Sequence, residues 1–148
     1  MKLGSHTILI AETDLAFRRK LIGVLNELNA ESFEANFDII DVYSLEELKL
    51  VMSSTAPDLA FIDYFYFLKH EKEMADIFGD QENKSLLVML IAGLENEEID
   101  TLLEPVSKYK ALSVIGHILK EDYPRDLIKV LTNVFLKKLY DMKNALPG

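Results

Sequence analysis

The sequence predicts a single α/β domain in which a parallel sheet is covered by helices on both faces. Short, wholly apolar runs recur along the chain, and amphipathic stretches separate them. A run that is apolar on every side suits a strand buried on both faces, as in a parallel sheet. Strands that alternate with helices require right-handed crossovers, which build a doubly wound sheet.

Five strands are expected, and each is a short apolar or β-branched run. The strongest is LLVMLIA, and the last run ends at Gly116, a residue that commonly interrupts strands. No structural role is assigned to residues 1–6. The predicted strands are residues 8–11, 37–43, 59–62, 86–92 and 111–115.

Five helices are expected between and after these strands. The second begins at Ser44 with Glu47 three residues later, the spacing of a capping box. The last begins at Pro124, a favourable first helical residue. The predicted helices cover residues 16–28, from 44 onward, 67–78, 95–103 and 124–143.

Length and composition narrow the class of protein. The 148 residues suit one domain, with a core over about residues 7–143, and we expect it to be part of a longer protein. The net charge of −9 disfavours direct contact with nucleic acid. There is no cysteine, which excludes disulfides and thiol nucleophiles. No apolar stretch is long enough to cross a bilayer, so we expect a cytoplasmic protein without a membrane partner.

Candidate site residues follow the ends of the predicted strands. Glu12, Thr13 and Asp14 follow the first strand, Asp63 ends the third, and Lys120 follows the fifth. In an open α/β sheet, ligands bind beyond the carboxyl ends of the strands. Carboxylates that meet there repel one another unless a cation intervenes, and Mg²⁺ prefers oxygen ligands. A lysine adds positive charge for a carboxylate or its phosphorylated form.

Four segments carry a resemblance to a known family, and they occur in the family's order and spacing. They are ILIAETDLAFRRKL, PDLAFID, LLVMLIA and SVIGHILKE. Over nearly its whole length, the chain resembles the receiver domain of bacterial response regulators, including the chemotaxis type. The resemblance implies a flavodoxin-like (βα)5 fold with strand order 2-1-3-4-5. It also implies a role in two-component, phosphorelay signal transduction.

The resemblance assigns a role to each candidate residue. Asp63 takes the phospho-acceptor position, and Lys120 takes the position of the lysine that contacts the phosphoryl group or the carboxylate. Glu12 takes the first acidic position. Thr13 takes the second, where the family has an aspartate that binds Mg²⁺. Glu12 and Asp63, with Asp14 as a further candidate, would give at most a weakly bound Mg²⁺, and otherwise no cofactor is expected. The alternative is that Glu12 and Asp14 are solvated turn residues, with Asp14 helping to cap the first helix.

Departures from the family predict a degenerate phosphorylation site, as in a pseudo-receiver. Thr13 has no charge for a metal, and Ile91, at the hydroxyl switch position, cannot donate a hydrogen bond. His117 takes the position of the aromatic switch residue, and Glu121 replaces the usual proline. An atypical but working phospho-receiver that uses Asp63 and Mg²⁺ stays open as the alternative. The aromatic residues 64–67 are expected in the loop after Asp63, where they either cover the mouth of the pocket or pack locally.

The last predicted helix is apolar over close to half its circumference, which is more than packing on a sheet requires. Leu136 and Tyr140 fall on its far, lysine-bearing side. In receivers, the fourth and fifth helices and the fifth strand form the usual partner or dimer face. We therefore expect a protein partner or a homodimer through this face, with a histidine kinase as a candidate partner. A well-buried helix with scattered exposed apolar residues is the simpler interpretation.

Enzyme functions have little support in the sequence. There is no G-x-G-x-x-G, no P-loop and no G-x-S-x-G motif. We therefore expect no enzymatic activity. A flavodoxin-like protein that binds flavin or another small ligand is a further alternative, but it rests on fold analogy alone.

Overall fold

A computed structural model describes residues 5–31, 36–55, 57–79, 86–92 and 112–119, together with residues 126, 128–130 and 132–133. No helix among these residues is long and apolar enough to cross a membrane. In chain order, the elements are β1 (Ser5–Ala11), α1 (Leu15–Glu31), β2 (Asn36–Asp41), α2 (Leu45–Ser54), β3 (Leu59–Asp63), α3 (Tyr64–Lys69), α4 (Glu71–Gly79), β4 (Leu86–Ala92) and β5 (Leu112–Leu119).

The five strands form one parallel sheet in the order β2-β1-β3-β4-β5, which confirms the predicted order and fold class. The strand β1 lies between β2 and β3, and its Ala11 pairs with Ile62 of β3. The carboxyl ends of β1 and β3 therefore lie side by side. The residues that follow them meet at the edge where such sheets bind ligands.

Alternation along the strands divides the core into two halves, one on each face of the sheet. Leu9 and Ile62 belong to the half that packs against α2, α3 and α4. Ile8 and Phe61 belong to the half that packs against α1 and Ile128. The helix α1 contributes five residues to its half of the core: Phe17, Leu21, Val24, Leu25 and Leu28. The helices α2, α3 and α4 contribute five to the half on the opposite face of the sheet: Leu48, Met52, Phe67, Met74 and Ile77.

The start of β1 corrects one expectation. Residues 1–6 were given no structural role, yet Ser5 and His6 are the first residues of the strand and pair with Asn36 and Phe37. His6 is buried, and its Nδ1 lies 3.6 Å from Oδ2 of Asp58. Polar residues at the start of a strand break the apolar run, so the pattern placed the start of the strand three residues too late.

The segment after β3 corrects a second expectation. One helix was predicted over residues 67–78 after an aromatic loop, but α3 begins at Tyr64 with no loop before it. Asp63 is both the last residue of β3 and the N-cap of α3. The helical backbone is interrupted at His70, which has φ −116° and ψ 40°, and α4 begins at the next residue, Glu71.

The fifth strand corrects a third expectation. It was predicted to end before Gly116, but β5 runs from Leu112 to Leu119. Val88 pairs with Val114 and Met89 pairs with Gly116, so β5 carries one extra residue at this point. A glycine beside such a bulge is common, because the local backbone leaves the regular pleat. His117 therefore lies inside the strand, opposite Leu90, and does not follow it.

The last two predicted helices are described only in part. Residues 95–103 lie outside the described residues. Within the predicted helix 124–143, the described residues 126, 128–130 and 132–133 are helical. Ile128 is buried against the α1 side of the sheet, whereas Val130 is 58% exposed.

Candidate functional site

The carboxyl edge of the sheet brings Glu12, Thr13 and Asp63 together. Glu12 and Thr13 directly follow β1, and Asp63 ends the neighbouring β3. Glu12 and Asp63 are only 1% and 4% exposed, whereas Thr13 is exposed. The hydroxyl Oγ1 of Thr13 donates a hydrogen bond to Oδ2 of Asp63 at 3.2 Å. A neutral hydroxyl is thus the neighbour of the candidate phospho-acceptor on this side.

The second carboxylate oxygen of Asp63 takes part in the start of α3. Oδ1 accepts a hydrogen bond from the backbone N–H of Phe65 at 3.1 Å. Aspartate is a favourable N-cap because its oxygen satisfies an N–H that has no partner inside the helix. Both oxygens of Asp63 therefore accept hydrogen bonds from uncharged donors.

The carboxylates of Glu12 and Asp14 also accept backbone hydrogen bonds. Oε1 of Glu12 accepts from the N–H of Asp14 at 2.9 Å. Oδ1 of Asp14 accepts from the N–H groups of Ala16 and Phe17 at 3.1 and 3.2 Å, which caps α1 as the sequence suggested. Within the described ranges, no three acidic or histidine side chains are grouped closely enough to hold a metal ion.

Arg18 is a residue of this edge that the sequence analysis missed. Its side chain is buried, and Nη1 donates to the backbone carbonyl oxygen of Glu12 at 3.1 Å. Its Nε lies 3.6 Å from Oδ2 of Asp41, and its Cζ lies 3.8 Å from the centroid of the Tyr43 ring. A cation over an aromatic face is attracted by the ring's electrons. The signal in the sequence was an arginine directly after Phe17, on the buried side of α1.

Tyr43 completes a cluster with Arg18 and Asp41 at the end of β2. The tyrosine is 62% exposed and lies over the arginine. A hydrogen bond to Asp41 and the charge of that carboxylate raise the pKa of the Tyr43 phenol, and Arg18 opposes this shift. Through Arg18, the cluster connects Glu12, which follows β1, to Asp41 at the end of β2.

A narrow crevice opens beside this cluster and reaches Thr13. Its volume is about 10 Å³, room for roughly one water molecule. Burial, followed by the charge of Glu73, raises the pKa of Tyr66, which lines one wall. The residues that line the crevice are Ala11, Glu12, Thr13, Val42, Tyr43, Ser44 and Tyr66.

Some of the aromatic residues after Asp63 pack locally, and others lie near the candidate site. Tyr64 and Phe67 are buried in the core beneath α3, which confirms local packing for these two. Tyr66 is half-buried and lines the crevice, and Phe65 is 44% exposed. The residues lie on a helix and not on the loop that the sequence suggested.

The two predicted switch residues, Ile91 and His117, are placed by the pairing of their strands alone, and His117 pairs with Leu90. Ile91 pairs with Asp63 across β3 and β4, so the register sets it beside the candidate phospho-acceptor. Lys120, Glu121, Leu136 and Tyr140 lie outside the described residues, so their predicted roles stay predictions.

Comparison with known proteins relates the fold to solved structures. No family model and no curated protein sequence matches the chain. A response regulator from Thermotoga maritima superposes with a TM-score of 0.62 at 13% identity, over 90% of this chain and 99% of the other. A signal receiver domain from Vibrio parahaemolyticus gives 0.60 at 12% identity, over 98% and 99%. A flavodoxin-like domain from a Synechococcus species gives 0.53 at 16% identity, over 95% and 99%.

These matches cover almost the full length of each chain, and their sequence identities are low. Similarity at such identities concerns the fold and not the chemistry of the site. The strand order and the parallel register of this chain agree with that similarity in fold. The chain therefore has a flavodoxin-like α/β fold that is structurally similar to the receiver domains of response regulators.

Proposed function

We propose that this chain is a receiver-type signalling domain with a degenerate phosphorylation site that acts mainly through protein–protein interaction. The hydrogen bond from Thr13 to Asp63 carries the proposal. In a receiver that binds Mg²⁺, an acidic side chain at the position of Thr13 would contribute charge to the metal. Here a neutral donor stands at this position and binds the carboxylate that the metal would need.

The electrostatic consequence favours loss of the metal site. A hydroxyl is a weak ligand for a hard divalent cation, whereas a carboxylate offers a full negative charge. Asp14, the nearest substitute, accepts two backbone hydrogen bonds at the start of α1. To bind a metal through Oδ1, Asp14 would have to give up these two bonds, which costs about 1 kcal/mol.

The regulatory role follows from a receiver scaffold without a strong phosphoryl switch. Such a domain would act by binding a protein partner or a second copy through the predicted helices 95–103 and 124–143 and strand β5. A histidine kinase is a candidate partner, and the domain would have no enzymatic activity of its own. We place it in the cytoplasm, where response regulators meet their kinases.

A small phosphodonor tests this proposal. The protein is incubated with acetyl phosphate and Mg²⁺, and intact mass spectrometry detects addition of a phosphoryl group. We expect no stable phosphoryl adduct on the parent chain and none on the Asp63→Asn variant. An adduct on the parent chain that Asp63→Asn abolishes, together with a conformational change, would contradict the proposal.

The second candidate function is an atypical phospho-receiver, and one observation favours it. Two carboxylates, Glu12 and Asp63, are buried at the ends of adjacent strands, where a receiver holds its metal. In this case Mg²⁺ at millimolar concentration shifts the amide resonances of both residues, and the adduct on Asp63 is formed only with the metal. If Mg²⁺ does not bind and no phosphoryl group is transferred to Asp63, the degenerate site is the better account.

A further inference from the structure

A groove between α2 and α4 is separate from the candidate site and shares no lining residue with its crevice. It has a volume of about 190 Å³. Small-molecule sites usually enclose about 300–1,000 Å³. The groove is therefore the size of one or two side chains. It is lined by Leu45, Glu46, Lys49, Glu73, Asp76 and Ile77.

The floor of the groove is the edge of the hydrophobic core. Ile77 is only 6% exposed and belongs to the core under α2 and α4, and Leu45 packs against the same cluster. An apolar side chain that entered the groove would extend this core and be removed from water. The floor thus provides an apolar contact on the surface of a strongly charged domain.

The rim of the groove is acidic. Glu46, Glu73 and Asp76 are exposed around it, and Lys49 is the one cationic residue among the described residues that line it. In the described part of the chain, no arginine, lysine or histidine lies within ion-pair distance of these three carboxylates. Their charge therefore faces solvent without an ion-pair partner from those residues, and the charge of Glu73 reaches Tyr66, whose pKa it helps to raise.

We propose that the α2–α4 groove docks an arginine-bearing, amphipathic helical segment of a partner protein. An arginine places its apolar stem along an apolar floor and keeps its guanidinium at an acidic rim. Its planar fork also binds carboxylates through two hydrogen bonds, which a lysine cannot do. A neighbouring apolar residue one turn away on the same helix face would contact Leu45 and Ile77.

The proposal does not depend on the chemistry at Asp63. It assigns a second surface, on the α2 and α4 side, in addition to the face predicted at the fifth strand and the last helices. A failure of phosphorylation, or its success, would leave the groove unchanged. The two proposals can therefore fail separately.

Short synthetic helical peptides test the groove against the whole 148-residue chain. The probe peptide carries an arginine and a leucine one turn apart. Two control peptides replace the arginine with glutamate or the leucine with serine. Amide shifts in a ¹H–¹⁵N spectrum map the binding site. We expect shifts confined to α2 and α4, an affinity that falls with salt, and weaker binding of both control peptides.

Matched variants separate the rim from general acidity. Glu73→Gln with Asp76→Asn removes two rim charges and should weaken binding of the probe about fivefold, from two exposed charge pairs. Asp38→Asn with Asp126→Asn removes two exposed charges away from α2 and α4 and should change it less than twofold. All four positions are exposed, so the fold should persist.

Three outcomes would overturn the proposal. If both double variants weaken binding of the probe peptide equally, the peptide is attracted by the net charge of the domain and not by the rim. Shifts outside α2 and α4, or no shifts at all, would place the contact elsewhere or remove it. A concentration-dependent dimer that the rim variant dissociates would identify the occupant as a second copy of the chain.

Discussion

The hydroxyl of Thr13 donates a hydrogen bond to Oδ2 of Asp63 across 3.2 Å and joins two residues that are 50 positions apart in the chain. The bond exists because β1 and β3 are parallel neighbours, and their carboxyl ends meet. It places a neutral partner beside the carboxylate that a receiver would phosphorylate. The bond therefore holds the Asp63 carboxylate in a fixed position at the carboxyl edge of the sheet.

Replacing Thr13 with valine tests this bond. Loss of the hydroxyl should lower the free energy of unfolding by about 1 kcal/mol, because a nearly buried carboxylate oxygen loses a donor. Urea unfolding measures the change. Thr13→Ser keeps the hydroxyl and should cost less than Thr13→Val. A valine variant as stable as the parent chain would show that water replaces the hydroxyl at no cost.

The cap at Asp14 gives a second prediction. Asp14→Ala should destabilise the domain by about 1 kcal/mol, since the N–H groups of Ala16 and Phe17 lose their acceptor. Asp14→Asn should keep most of the stability, because asparagine is an equally good N-cap. Thermal or urea unfolding of both variants provides the measurement. If asparagine and alanine are equally harmful, the negative charge of Asp14 matters beyond the cap.

The phenol of Tyr43 should titrate above its ordinary pKa of 10.0, because Asp41 accepts a hydrogen bond from the neutral phenol and its charge repels the phenolate. A group whose pKa is raised by folding stabilises the fold at pH values below the unfolded pKa. That stabilisation is lost as the pH rises through the folded pKa. Ultraviolet titration measures the shift, and Tyr43→Phe identifies the signal. Asp41→Asn should move the pKa back toward its ordinary value, and an unchanged titration would exclude this pair.

Lys129 links the last described helical residues to α1. Its Nζ lies 3.1 Å from both Glu27 Oε2 and Glu31 Oε1, and these carboxylates raise the pKa of the lysine. The stabilisation is present at neutral pH and is lost as the pH rises through the folded pKa of the lysine.

Lys129→Met should therefore reduce stability at low salt, and this loss should shrink at high salt because exposed ion pairs are screened. Thermal unfolding at two salt concentrations makes the comparison. Lys72→Met, at an exposed lysine of α4, serves as the control. A loss that is independent of salt would point to packing of the lysine stem instead of charge.

The fold could be predicted because its strands are buried on both faces and therefore form apolar runs. The LLVMLIA segment became β4 at its predicted bounds, and Ser44 caps α2 with the N–H of Glu47 as its donor. The pattern was wrong where one residue serves two elements. Asp63 ends β3 and caps α3, so the loop expected after it does not exist.

The site could be predicted only in outline. Strand ends identified Glu12 and Asp63, and the cap at Asp14 was foreseen. Arg18 was missed because its partners, the carbonyl of Glu12 and the carboxylate of Asp41, come together only through the sheet. The α2–α4 groove was missed for the same reason. Its walls come from two helices whose approach no local pattern records.

Magnesium titration of the parent chain beside Thr13→Asp tests the degenerate site most directly. Amide shifts at Glu12 and Asp63 report binding, and the aspartate restores the charge that the second acidic position lacks. We expect no saturable Mg²⁺ binding by the parent chain at millimolar metal and measurable binding by Thr13→Asp. Saturable binding by the parent chain, with shifts centred on Asp63, would contradict the account.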